Sequence, residues 1–252
     1  MTGALALEES SISPLGWALI SLRLFLMVVL LLLCAPLYYL WRLLGLGRFW
    51  PRVFLGGVAV IAGCDITIEG RPAKHALLLA NHVSWLDIPA IAWATGSAFV
   101  GHSGLASIAV LKTLCSMNDT VFIARHDRGS VADQVEQVRA AIAGTGALTF
   151  FPEGTTSDGT GLLPFKSSLL SAAENLPEGV PIQPVLLDYA EAPGIAWIGE
   201  EHGLDNFKRI LARVRPVHLT IHFLPPLEGT ALTNRKTMAA AAREAIFAAM
   251  ER

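Results

Sequence analysis

The chain opens with a long apolar segment. Residues 24–40 (LFLMVVLLLLCAPLYYL) contain no charge, and residues 15–22 (LGWALISL) are also apolar, with Arg23 between the two runs. A helix needs about 20 apolar residues to cross the hydrocarbon core of a bilayer, and the two runs together reach that length. Trp17 and Trp41 flank the segment, as aromatic residues do at membrane interfaces. We therefore predict an N-terminal helix that either crosses the membrane or lies within one leaflet.

A cleaved signal peptide is the alternative for this segment, and it fits poorly. Glutamates rather than basic residues precede Arg23, and no small-x-small cleavage pattern follows the apolar run. Basic residues follow it instead, at Arg42, Arg48 and Arg52. The positive-inside bias then predicts that the rest of the chain lies on the cytoplasmic side of the cell's inner membrane.

From about residue 64 onwards, short apolar runs alternate with helical patterns. The runs predict strands at Ala76–Ala80, 97–101, 120–124, 147–151, 181–187 and Val217–Phe223. The helical patterns cover Phe49–Ala62, 131–142, 167–175 and 234–252. Buried strands alternating with helices favour an α/β fold with a central, mostly parallel or mixed β-sheet flanked by helices. We predict two parts: a membrane-associated helical segment over residues 1–63 and an α/β domain over residues 64–252.

The composition narrows the functional classes. Of the 252 residues 53% are apolar, the mean hydropathy is +0.50, and the formal net charge is −2. Such an apolar chain is typical of membrane association, and the charge gives no indication of nucleic-acid binding. The three cysteines are far apart in sequence and form no C-x-x-C pair, so neither a zinc site nor a disulfide framework is predicted.

A histidine and an aspartate follow the first buried strand. Residues 81–87 (NHVSWLD) come directly after Ala76–Ala80, and ligand-binding groups of open α/β sheets gather where strands end. If a helix begins between His82 and Asp87, the carboxylate faces back towards the imidazole. The carboxylate then holds a proton on one ring nitrogen and leaves the other free to accept a proton from a hydroxyl. His82 and Asp87 are therefore the candidate catalytic pair, with a substrate alcohol as the nucleophile.

Two other interpretations of the same segment stay open in the sequence. Asp87 is also a residue type that caps the N-terminus of a helix, here beside a half-buried histidine. Ser84 is a possible nucleophile, although no G-x-S-x-G turn surrounds it.

Polar residues also follow two later strands. The segment FPEGTT at residues 151–156 offers a carboxylate, a glycine and hydroxyls, which suit either an alcohol-rich acceptor or a simple turn. Arg125 places a fixed positive charge after the strand at 120–124. Lys166 adds a second cation just before a predicted helix, where phosphate binding is favoured.

Taken in order, four sequence blocks resemble the glycerolipid acyltransferase family, which includes the 1-acylglycerol-3-phosphate acyltransferases. The blocks are N-H-x-S-x-x-D, F-I-x-R, F-P-E-G-T and V-P-I-x-P-V, and they fall between roughly residues 78 and 187. The resemblance implies that His82 is the general base and Asp87 its partner. It implies an acceptor-binding set of Arg125, Glu153, Gly154 and Thr155, to which we add Lys166. The last block, with Val180, Pro181, Ile182 and Pro184, is implied to border the acyl chain or its thioester carrier.

One position departs from the family pattern. Enzymes of the family that act on glycerol phosphates commonly have arginine after F-P-E-G-T, whereas this chain has Thr156. An arginine there would pair bidentately with a phosphate monoester, which threonine cannot do. The sequence FPEGTTSDG at residues 151–159, with PFK at residues 164–166, resembles family members that act on whole lysophospholipids or on lyso-ornithine lipid.

The predicted function is that of an O-acyltransferase without a cofactor or metal. Acyl-CoA or an acyl-carrier protein would supply the acyl group, and the acceptor would be the free hydroxyl of a lysophospholipid, by default 1-acylglycerol 3-phosphate giving phosphatidic acid. Membrane lipids are the expected partners. The alternatives are acylation of another lyso-lipid, such as lyso-ornithine lipid, and a membrane lipid hydrolase in which His82 activates water. A non-catalytic membrane module would need neither His82 nor Asp87.

Overall fold

The described part of this computed structural model forms a mixed α/β fold. It comprises residues 12–45, 47–102, 109–123, 131–171, 173, 176, 179–199 and 201–252. The helices in this part are α1 (Pro14–Leu43), α2 (Phe49–Ala62), α3 (Asp87–Thr95), α4 (Ala109–Met117), α5 (Val131–Thr145), α6 (Ala192–Ile195), α7 (Gly203–Leu211) and α8 (Arg235–Met250). The strands are β1 (Cys64–Gly70), β2 (Ala76–Ala80), β3 (Ala98–His102), β4 (Val121–Ile123), β5 (Ala147–Phe150), β6 (Ile182–Tyr189) and β7 (Val217–Phe223).

These strands form one sheet in the order β1-β7-β6-β2-β5-β3-β4. Strands β2 to β6 all run in the same direction, while β7 is antiparallel to β6, and β1 is parallel to β7. The predicted fold class, a mostly parallel or mixed sheet flanked by helices, is therefore confirmed. Because β2, β5 and β6 are neighbours and parallel, the segments that follow them meet at one edge of the sheet.

The central strands are apolar because both of their faces are covered. All five residues of β2 are buried, as are all four residues of β5. Leu78 and Ala80 belong to one core cluster, while Leu77 and Leu79 belong to the cluster on the other face. The alternation of side chains along a strand explains this division.

The two N-terminal helices form a hairpin that contacts the α/β unit at two places. In the first half of the apolar helix α1, Arg23 donates to the backbone carbonyls of Leu211 (2.9 Å) and Arg213 (3.0 Å) at the end of α7. At the start of α2, Arg48 and Arg52 donate to the carbonyls of Gly96 (2.5 Å) and Trp93 (2.9 Å) at the end of α3. Cations are favoured at the C-terminal ends of helices.

The surface of α1 is apolar. Among the described residues, α1 is the one helix that is long enough and apolar enough to cross a bilayer, judged by length and composition. Most of its side chains are exposed. Pro36 lies inside the helix rather than at its end. The predicted boundary after residue 63 coincides with the passage from α2 to β1, although the division into two domains stays a prediction.

The predicted helix over residues 167–175 begins as a 3-10 helix rather than an α-helix. Ser167–Leu170 is a 3-10 helix, and Ala173 donates to the carbonyl of Leu170, three residues back, at 2.9 Å. Residues 172, 174 and 175 lie outside the described part of the chain. The predicted bounds of α2, β2 and β7 agree with the structure.

Candidate active site

Asp87 lies at the start of α3, completely buried, with its carboxylate facing the segment that follows β2. Its Oδ2 atom accepts three hydrogen bonds, from His82 Nδ1 (2.7 Å) and from the backbone N–H groups of Val83 (2.7 Å) and Ser84 (3.0 Å). Its Oδ1 atom accepts the hydroxyl of Tyr189 at 2.5 Å. The carboxylate at the N-terminus of α3 therefore accepts hydrogen bonds from four donors.

The contacts of Asp87 fix the tautomer of His82. An ionised carboxylate only accepts hydrogen bonds, so His82 Nδ1 carries the proton and Nε2 has a free lone pair. The imidazole stacks on the ring of Phe151 with centroids 4.2 Å apart, and its side chain is 19% exposed. His82 is thus held from two sides yet remains accessible, which is the arrangement that a general base needs.

Tyr189 is a residue of this site that the sequence analysis missed. It is the last residue of β6, the strand next to β2, and it is buried. Burial and the negative charge of Asp87 raise the pKa of its hydroxyl well above the ordinary value, so the phenol is neutral and acts as a donor. The polar LDY end of an otherwise apolar run is the signal that marks this position.

Glu153 lies under the loop that carries His82. Its Oε1 atom accepts the backbone N–H of His82 at 2.9 Å, and its Oε2 atom accepts the N–H of Leu163 at 3.2 Å. Burial raises the pKa of this carboxyl, while these two N–H groups act in the opposite direction. Glu153 therefore supports His82 in this structure, and its direct contact with an acceptor stays a prediction.

Asn81 links the segment before His82 to the neighbouring strand. The β2–β6 pairing reaches Ala80 and Val185, and the side-chain amide of Asn81 then bonds both backbone groups of Leu187. Its Nδ2 donates to the Leu187 carbonyl (3.1 Å), and its Oδ1 accepts the Leu187 N–H (2.7 Å). The backbone of residue 82 is thereby held at the edge of the sheet.

A turn over residues 154–160 closes over the same loop. The N–H of Ser157 donates to the carbonyl of His82 at 2.7 Å. Gly154 and Gly159 both have positive φ angles, of 71° and 73°. A side chain at Gly159 would lie 2.6 Å from Cβ of Ala192 and 3.2 Å from Val83, so this position requires glycine.

The other predicted acceptor-binding residues are Thr155, Lys166 and Arg125, and the structure describes the first two. Thr155 is exposed on this turn, and the side chain of Lys166 is exposed while its backbone N–H donates to Pro152 O at 2.8 Å. The Thr156 hydroxyl donates to the backbone carbonyl of Trp197. Arg125 lies outside the described residues.

The fourth sequence block lies before and within β6, the strand next to β2. Within β6, Ile182 pairs with Leu77 near the start of β2, and Pro184 pairs with Leu79 near its end. Val180 and Pro181, which precede β6, are half-buried. A contact of these four residues with an acyl chain or its carrier stays a prediction.

Other nucleophilic side chains near the site are unsuited to covalent chemistry. Ser84 is fully buried, and its Oγ atom lies 3.4 Å from the backbone N–H of Leu86. Burial, followed by the charges of Asp87 and Asp65, raises the pKa of the Cys64 thiol to about 12, which keeps it neutral. Among the described residues, no group of three or more His, Cys, Asp or Glu side chains is placed to hold a metal ion.

Comparison with known proteins relates the chain to one family. The family model described as Acyltransferase matches residues 65–188. The chain is 31% identical over 242 residues to a lyso-ornithine lipid O-acyltransferase of Brucella abortus, covering 87% of this chain and 90% of that protein. It is 37% identical over 143 residues to a 1-acyl-sn-glycerol-3-phosphate acyltransferase of Neisseria meningitidis, covering 55% of each.

The fold is similar to that of a solved structure. The 1-acyl-sn-glycerophosphate acyltransferase of Thermotoga maritima matches with a TM-score of 0.70 and 20% sequence identity, covering 94% of this chain and 95% of that one.

Proposed function

The chain belongs to the acyltransferase family, and from this premise we propose that His82 acts as the general base in transferring a fatty acyl group to the hydroxyl of a lyso-lipid. The observation that carries the assignment is the pair of atoms His82 Nδ1 and Asp87 Oδ2, 2.7 Å apart beside an accessible imidazole. The protein is an O-acyltransferase, as its relatives are.

The proposed reaction needs one proton acceptor and no protein nucleophile. His82 Nε2 takes the proton of the acceptor hydroxyl while that oxygen attacks the thioester carbonyl. The tetrahedral intermediate then collapses, the C–S bond breaks, and the imidazolium returns its proton to the departing thiolate. Asp87 stabilises the imidazolium throughout, and acyl-CoA or an acyl-carrier protein supplies the thioester.

His82→Ala tests this proposal in purified full-length protein. General-base catalysis contributes roughly two to four powers of ten, and we expect a loss of turnover of that size with the thermal unfolding temperature retained. Folded His82→Ala protein with near-normal activity would overturn the assignment. Release of free fatty acid without a new diacyl lipid would show a hydrolase instead.

Two acceptors are supported by different observations. The default acceptor, 1-acylglycerol 3-phosphate, is the one that the name of the Neisseria relative indicates. Lyso-ornithine lipid is favoured by the relative that aligns over 90% of its length, and by Thr156, whose hydroxyl is bound to a backbone carbonyl. A panel of lyso-lipids with one acyl-CoA separates them, and Thr156→Arg should increase phosphatidic-acid synthesis if a missing cation limits the default acceptor.

We also propose that the protein sits on one leaflet of the inner membrane, with its α/β unit in the cytoplasm. A helix standing across the bilayer would leave the α/β unit at one of its ends. Here α1 and α2 contact that unit both near Arg23 and near Arg48, so the hairpin runs along it. The exposed apolar side of α1 then faces lipid.

Protease protection of terminal tags tests this placement. Because an in-plane helix does not cross the bilayer, tags at the N-terminus and at the C-terminus should both be digested from the cytoplasmic side of inverted membrane vesicles. Protection of the N-terminal tag alone would show that α1 spans the membrane and would refute the in-plane placement.

A further inference from the structure

The carboxylate of Asp87 has two oxygens with separate partners. Oδ2 is occupied by His82 and by two backbone N–H groups, whereas Oδ1 accepts the hydroxyl of Tyr189 at 2.5 Å. Tyr189 and Asp87 are 102 positions apart in sequence, and both are buried. The phenol is therefore placed to act on the charge of the carboxylate from the side opposite to the imidazole.

We infer that Tyr189 is a positioning residue of the acyl transfer, setting through Asp87 how strongly His82 holds a proton. The inference rests on the proposed function, because it concerns the base of that reaction. Tyr189 does not touch substrate, since its hydroxyl is directed at Asp87 in the buried core. Its donation withdraws negative charge from the carboxylate that faces the imidazole.

The direction of the effect follows from the charges. A carboxylate that loses a donor holds more negative charge, so it binds the imidazolium form of His82 more strongly. The imidazole then keeps its proton up to a higher pH. Since only the neutral imidazole can act as a base, the acid limb of the kcat/KM profile moves to higher pH.

The other ionisable groups around Asp87 do not obscure this readout. The thiol of Cys64 is neutral over the range of interest, because burial and nearby acids raise its pKa to about 12. Glu153 binds the backbone N–H of His82, and its carboxyl, whose pKa is raised by burial, also interacts with the charges of His82 and Asp87; because the Tyr189 variants leave Glu153 in place, it is present in every profile that is compared. Asp65, which contributes to the field at Cys64, has its carboxylate beside His218 on the exposed side of β1 and β7.

Tyr189→Phe removes the hydroxyl and keeps the ring. With the preferred lyso-lipid from the panel and one acyl-CoA, we expect the midpoint of the acid limb of kcat/KM to move to higher pH by up to about one unit, because one donor changes the pKa of a carboxylate by about that much and part of the change reaches the imidazole. Tyr38→Phe is the matched control, because it removes a buried tyrosine hydroxyl from α1. Its profile should coincide with that of the unmodified protein.

A second variant retains the packing of the phenol and should shift the acid limb of kcat/KM in the opposite direction. The chain has three tyrosines, so in a Tyr38→Phe, Tyr39→Phe background Tyr189 is the one position that incorporates fluorotyrosine. Fluorination makes the hydroxyl a stronger donor, and the acid limb should then move to lower pH. Opposite shifts for the two changes are not expected from a loss of packing. This measurement also decides the matter if Tyr189→Phe does not fold.

The outcomes separate the inference from the function on which it rests. If His82→Ala abolishes turnover while the fluorotyrosine protein has an unchanged acid limb, Tyr189 has no influence on the base and the inference fails alone. If folded His82→Ala retains activity, the proposed mechanism fails with it. Shifts in the two expected directions, with an inactive His82→Ala, support both.

Discussion

Replacing Glu153 by glutamine distinguishes support of the His82 loop from direct binding of the acceptor. Each carboxylate oxygen now accepts one backbone N–H, at 2.9 Å from His82 and at 3.2 Å from Leu163. Glutamine has almost the same shape but a single acceptor oxygen. In Glu153→Gln one of the two N–H groups must therefore face the NH₂ group, and one hydrogen bond is lost inside the protein.

The magnitude follows from that single lost bond. A hydrogen bond to a charged group contributes about 1.5–3 kcal/mol, and part of this loss is offset because a neutral amide costs less to bury than a carboxylate, so we expect the free energy of unfolding to fall by about 1–2 kcal/mol. For a chain of this size that corresponds to a decrease of about 2–8 °C in Tm, measured by differential scanning fluorimetry. Glu244→Gln, on the exposed surface of α8, is the matched control and should change Tm by less than about 1 °C.

Kinetics complete this test. If Glu153 supports the loop, displacement of His82 lowers kcat, while KM for the lyso-lipid stays within about twofold of its original value. Direct contact with the acceptor instead predicts a higher KM with an unchanged Tm. Glu153→Gln protein with normal thermal stability and a raised KM would refute the supporting role of Glu153.

Three further changes have expected outcomes. Gly159→Ala would place a side chain at a positive φ, in contacts shorter than van der Waals distance. It should lower the free energy of unfolding, measured by chemical denaturation, by about 1–3 kcal/mol. Gly161→Ala, with open space around it, should leave the free energy of unfolding unchanged. Arg23→Met removes a charged donor from carbonyls at the end of α7 and should lower Tm, whereas Arg71→Met on the exposed surface should not. Burial raises the pKa of Glu153 above 4.5, so the folded state holds that proton more tightly than the unfolded state. The free energy of unfolding should therefore fall as pH rises from about 4.5 through the raised pKa. Glu153→Gln should lack this pH dependence.

Local hydrophobic patterns were sufficient to predict a strand whose residues are all buried. The strand Ala76–Ala80 is buried on both faces, so its five apolar residues mark it without help from the rest of the chain. By contrast, β1 is an edge strand in which Asp65 and Glu69 are exposed, and it offers no apolar run. The missed strand is thus one whose pairing depends on β7, more than 140 residues later in the chain.

The same limit applies to the site. The proximity of His82 and Asp87 depends on five positions of chain and the start of α3, which the sequence indicates. The contacts of Tyr189 and Glu153 with this pair depend on β6 and β5 both lying next to β2. Strand order is a property of the whole sheet, so no local motif predicts these partners.

The amide of Asn81 has a consequence for how the site tolerates change. Its side chain offers one donor and one acceptor to Leu187, in the way that a peptide group would, so it stands in for a rung of the β-ladder that the main chain no longer provides. The main chain is thereby free to leave the plane of the sheet at residue 82 without stranding polar groups in the interior. Aspartate at this position would lack the donor and serine would be too short to reach both groups. Asn81 accordingly anchors the backbone where it leaves the sheet. Its replacement should make the loop that carries His82 less ordered, although Asn81 itself takes no part in the proposed proton transfer.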